Sequence, residues 1–112
     1  MACHPAAAEI KESIRNYAKS VVPGLFYTID LYCCKLAGKD CVTILLEEPK
    51  TLRDILVRVY DLSPTVNLVA RVFLYPVVIE TNIDIPVEGL VSLFMNNPDE
   101  LRRVLSDILC RK

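Results

Sequence analysis

The side chains able to do chemistry are few and poorly placed for it. His4 is the only histidine in the chain, and it stands in the first few residues, where ends commonly fray. A general base must be held against its target, and nothing in the sequence visibly holds this one. A nucleophilic pair would have to join His4 to Cys3 or Cys110. Neighbours in sequence rarely reach the needed geometry, and no glycine-rich oxyanion loop is visible. With three glycines in the whole chain, a phosphate-cradling loop is excluded. The paired Glu47-Glu48 reads as a solvated helix entry before Pro49, and Glu80 and Asp84 read as protection of a strand edge. These patterns give no catalytic residues and no cofactor.

The five cysteines include no CxxC pair, so neither a zinc finger nor a thioredoxin-like site has its signature, and no metal is expected. Their number and the absence of glutamine suit a thermophile, whose intracellular chains can form disulfides. Buried free thiols acting as small hydrophobes are the plainer reading.

Net charge is −1 and pI is near 5.8, so the chain has no global pull toward nucleic acid or anionic membrane. The one basic cluster is Arg102, Arg103, Arg111 and Lys112 in the last helix. There Arg103, Asp107 and Arg111 form an alternating i,i+4 ladder, and Glu100 also reaches Arg103, as on a salt-bridged solvent face. The second role for this cluster is contact with nucleic acid in a small regulator, although no aromatics interleave with it.

The elements expected to carry these residues build a single α+β domain over residues 1–112. The sequence predicts an antiparallel sheet with helices packed on one face, in the order helix, hairpin, helix, two strands, two helices. Ala7, Ile10, Ile14, Tyr17, Ala18 and Val21 recur at helical spacing until Pro23-Gly24. A hairpin over 25–47 turns at Gly38-Lys39 as type II′. A helix follows from about Thr51 to Asp61, with Thr51 and Asp54 resembling a capping box. Asn67–Tyr75 and Val77–Ile85 read as strands from their β-branched and aromatic content. A short helix then carries Val87, Leu90, Val91 and Phe94. The last helix starts at Asn97-Pro98-Asp99-Glu100, a cap, a proline and acids in the first turn.

The hairpin register puts Leu25, Tyr27, Ile29, Leu31, Cys33, Val42, Ile44 and Leu46 on the core face. The opposite face carries Phe26, Tyr32, Cys34, Leu36, Cys41 and Leu45. Such a patch is unusual on a monomer and points to a partner. The sequence therefore reads as a non-enzymatic protein–protein interaction module of the cytoplasm. It is expected to be a homodimer through the outer hairpin face, or else to bind another protein there. A third reading is an apolar small molecule held near Phe73, Tyr75, Phe94 and Met95. No apolar run approaches the ~20 residues of a membrane span.

Overall fold

A computed structural model describes residues 4–61 and 63–109, with side chains from residue 8 onward. Every regular element among them is a helix: α1 (His4–Val21), α2 (Pro23–Ala37), α3 (Cys41–Glu47), α4 (Pro49–Tyr60), α5 (Pro64–Thr81), α6 (Val87–Asn96) and α7 (Pro98–Leu109). The expected α+β architecture is thus overturned. The predicted hairpin is α2 and α3, and the two predicted strands over 67–85 are mostly α5.

The hairpin fails because its apparent alternation hides a helical period. Phe26, Ile29 and Cys33 point into the core, at the i, i+3, i+7 spacing of one helix face. Leu31 and Tyr27, assigned to the same sheet face as Ile29, are exposed. Gly38 is no type II′ turn residue either. It sits at φ 74, ψ 12, the left-handed cap of α2, and its N–H reaches the Cys34 carbonyl. Asp40 then opens α3. Its carboxylate accepts from the Thr43 N–H at 3.3 Å and from the Thr43 hydroxyl at 2.7 Å. The stretch Gly38–Asp40 is a helix stop followed at once by a helix start.

The strand-like residues of α5 are overridden by tertiary context, as β propensity commonly is. Val66, Val69, Ala70, Val72, Phe73, Leu74, Pro76 and Val77 are all buried, so this helix is apolar around most of its girth. It packs most extensively against α1 and then against α6. Pro76 lies within it and removes one helical hydrogen bond, a loss tolerated inside a packed core. Asn82, left-handed at φ 53, ends it.

Other elements agree with the pattern of the sequence. α1 buries Ile10, Ile14 and Ala18, α6 buries Leu90, Val91 and Phe94, and α7 buries Leu101, Leu105, Ile108 and Leu109. α4 begins two residues earlier than its expected capping box, at Pro49, and the Thr51 hydroxyl donates to the Glu48 carboxylate at 3.0 Å. Polar ties join the helices at the edge of the core. Arg15 of α1 meets Asp40 at 2.8 Å, Arg53 of α4 donates to the Met95 carbonyl at 2.8 Å, and Arg71 of α5 meets Glu88 of α6 at 2.7 Å. No helix among the described residues is long and apolar enough to cross a membrane.

Candidate partner interface

The expected interface residues separate into two groups. Phe26, Cys41 and Leu45 lie in the core, Phe26 against Phe73 with ring centroids 6.1 Å apart. Tyr32, Cys34 and Leu36 remain at the surface, all on α2. A different side of this helix, turned away from Tyr32 and Leu36, carries exposed residues that the hairpin register had placed inside. Tyr27 is 59% exposed and Leu31 is 62% exposed. At ~100° per residue, Gly24, Tyr27, Leu31, Cys34 and Gly38 form one seam at alternating spacings of about three and four, opposite the buried Phe26–Ile29–Cys33 face. The signal available in the sequence was an apolar helix period on both sides of the same segment.

Beside this seam, Tyr32, Lys35 and Leu36 of α2 and Arg58 and Val59 of α4 line an open groove of about 410 Å³. Leu36 and Arg58 continue into a smaller hollow with Thr51, Asp54 and Ile55. Lys35 and Arg58 form no ion pair among the described residues, unlike Arg15, Lys39, Arg53, Arg71 and Arg103. Burial raises the pKa of the Tyr60 hydroxyl, and the charge of the neighbouring Tyr32 adds to it.

The described cysteines are Cys33, Cys34 and Cys41, and all are free. Cys41 lies beside Cys33, which the hairpin register had placed on the other face of the sheet. Its hydrogen bond with Cys33, its burial and the nearby Asp30 carboxylate all push its thiol far upward. The Asp30 carboxylate also accepts from the Cys41 N–H at 3.0 Å. Cys34 is exposed, yet local desolvation and then the charges of Asp30 and Asp40 raise its pKa. Neither thiol is favoured as the thiolate that nucleophilic chemistry needs. Among the described residues, no three His, Cys, Asp or Glu side chains gather as a metal site.

The basic cluster is only partly described. Arg102 and Arg103 are exposed on α7, and Arg103 grips the Glu100 carboxylate with two contacts of 2.6 Å. That hydrogen bond and charge raise the Arg103 pKa further. Arg111 and Lys112 lie outside the described residues, as do Cys3, Cys110 and the side chain of His4. The residues expected to hold an apolar ligand do not share a chamber: Phe73 and Phe94 are closed into the core, whereas Tyr75 is 41% exposed and stacks on Tyr17 at 5.1 Å. Compared with protein-family models, curated proteins and solved structures, the chain shows no match.

Proposed function

We propose that this protein is a non-enzymatic interaction module that pairs with a second copy of itself through the outward face of α2. One observation carries the reading: α2 is apolar on the face it buries and again on the face it presents to water. Tyr27, Leu31, Tyr32 and Leu36 are 59%, 62%, 39% and 47% exposed along that single helix. An interface of standard size takes ~800 Å² from each partner, and the two of these that share the outward seam, Tyr27 and Leu31, supply roughly a quarter of it. A self-complementary pairing satisfies the face with no further component, which is the commonest form of soluble assembly. The free thiols Cys33, Cys34 and Cys41 fit a reducing compartment such as the cytoplasm.

Light scattering of the purified protein over a concentration series tests the proposal. A dimer at micromolar concentration is expected. Leu31→Glu should give a monomer of unchanged helicity by circular dichroism, because a buried unpaired charge costs several kcal/mol. A monomeric wild type, or a Leu31→Glu variant that stays dimeric, counts against the α2 face.

A further inference from the structure

We infer that Cys33 and Cys41 are a redox pair, two buried thiols that hydrogen peroxide converts to a disulfide tying the end of α2 to the start of α3. Both sulfurs belong to one copy, so the pair stands apart from the self-association proposed above. Each residue is 0% exposed, and both thiols are free. The contacts of the α2–α3 corner set them side by side. The Asp30 carboxylate, one turn before Cys33 on α2, accepts from the Cys41 N–H at 3.0 Å. Gly38 ends α2 in the left-handed conformation and turns the chain back. Asp40 caps α3 through Thr43 and is held by Arg15 of α1 at 2.8 Å. The Cys33 and Cys41 side chains then meet in a hydrogen bond. The first residue of α3 is thus docked on the last turns of α2, and the two sulfurs need only close on each other.

Peroxide supplies the oxidising equivalents. The Cys33 sulfur attacks one peroxide oxygen, the O–O bond breaks, and a sulfenic acid and one water form. The Cys41 sulfur then attacks the sulfenic sulfur. The S–S bond forms, the S–O bond breaks, and the Cys41 thiol passes its proton to the departing hydroxyl, which leaves as a second water. Two thiols are oxidised and one peroxide is reduced to two waters. Asp30 sets the order of the steps. Its carboxylate and the bond with Cys33 hold the proton on Cys41, so Cys41 acts second. Burial sets which oxidant reaches the pair. Peroxide is small and uncharged and enters through brief local openings, whereas a bulky thiol reagent stops at the exposed Cys34. The bond closes a short loop around the Gly38 turn, so oxidation tightens the α2–α3 corner. In a reducing compartment the pair rests as two thiols, and peroxide makes it a clasp.

Cys34→Ser provides the test, since it leaves Cys33 as the only thiol on α2. Reduced protein is treated with hydrogen peroxide, the remaining thiols are capped with N-ethylmaleimide in denaturant, and tryptic peptides are read by mass spectrometry. Cleavage at Lys35 and Lys39 separates residue 33 from residue 41, so a bond between them appears as a linked peptide. The link should form in the wild type and in Cys34→Ser, should be lost in Cys33→Ala, and should run as a single chain on a non-reducing gel. Oxidised Cys34→Ser should melt about 10 °C above its reduced form, as closure of so short a loop implies, and dithiothreitol should restore the lower value. Cys33→Ala treated alike should show no such rise. Absence of the link in Cys34→Ser, a link that survives Cys33→Ala, or a melting temperature that falls on oxidation overturns the pair. None of these outcomes bears on self-association, which light scattering of the reduced protein decides separately.

Discussion

α5 and α2 are both apolar around nearly their whole circumference, yet the molecule treats them differently. α5 has eight buried residues and lies between α1 and α6, with Phe73, Leu74 and Val77 almost free of solvent. Its exposed apolar residues, Leu68, Tyr75 and Ile79, form one narrow stripe, and Tyr75 is partly covered by Tyr17. α2 has three buried residues, Phe26, Ile29 and Cys33, with Leu25 and Ala37 partly buried against the core, and it leaves Tyr27, Leu31, Tyr32 and Leu36 exposed. The difference teaches that hydrophobicity in every direction requires cover in every direction. Where the fold itself supplies the cover the helix is core, and where it does not the uncovered face becomes the place to look for a partner.

The largest effects should come from the buried side of each helix. Phe73→Ala in α5 and Phe26→Ala in α2 remove two rings that meet each other, and each should cost about 3–5 kcal/mol in chemical denaturation. Phe26→Ala costing under ~1 kcal/mol would show α2 to be loosely attached, and the contrast between its faces would fail. Its neighbour should behave oppositely. Tyr27→Ala should leave the stability of the monomer within about 0.5 kcal/mol while abolishing the dimer in sedimentation equilibrium.

A middling effect belongs to the junction that turns α2 into α3. Asp40→Ala removes the α3 cap and the partner of Arg15, and should cost about 1 kcal/mol. Burial works to raise the Asp40 pKa, but its hydrogen bonds with Thr43 and Arg15 and the charge of Arg15 outweigh it, so the carboxyl lies below its ordinary value. A carboxylate depressed on folding contributes stability above its unfolded pKa and loses it as pH falls through the folded one. Acid titration of wild type should therefore show a loss of stability below about pH 4 that is smaller in Asp40→Ala. Equal acid sensitivity in both proteins would assign the effect to other carboxylates.

The smallest effects should be at Arg102 and Arg103. Alanine at either should change stability by no more than about 0.5 kcal/mol. If nucleic-acid binding with a steep salt slope is detected and then lost in these variants, α7 would replace α2 as the functional surface.

The helices that were legible in the sequence are those with one wet face. In α1 and α7, charged residues fall opposite the stripes Ile10–Ile14–Ala18 and Leu101–Leu105–Ile108, so a period of 3.6 stands out. In α2 and α5 no polar side marks the phase. Leu25, Tyr27, Ile29, Leu31 and Cys33 satisfy an alternation of two as readily as Phe26, Ile29 and Cys33 satisfy a helix. The expectation of a partner patch rested on an excess of apolar residues on one segment. Of its six residues only Tyr32, Cys34 and Leu36 are exposed, because a wrong period assigns residues to the wrong side.

By itself the sequence determined where chemistry is scarce, where the helices with wet faces lie, and that the segment from 25 to 36 holds more apolar residues than one buried face needs. Tertiary structure alone decided the period of that segment and of α5. For an all-round apolar stretch, local propensity differs by too little between helix and strand to choose. The choice falls to packing, which closes α5 against α1 and α6 and sets Phe26 on Phe73 while leaving Tyr27 and Leu31 in water.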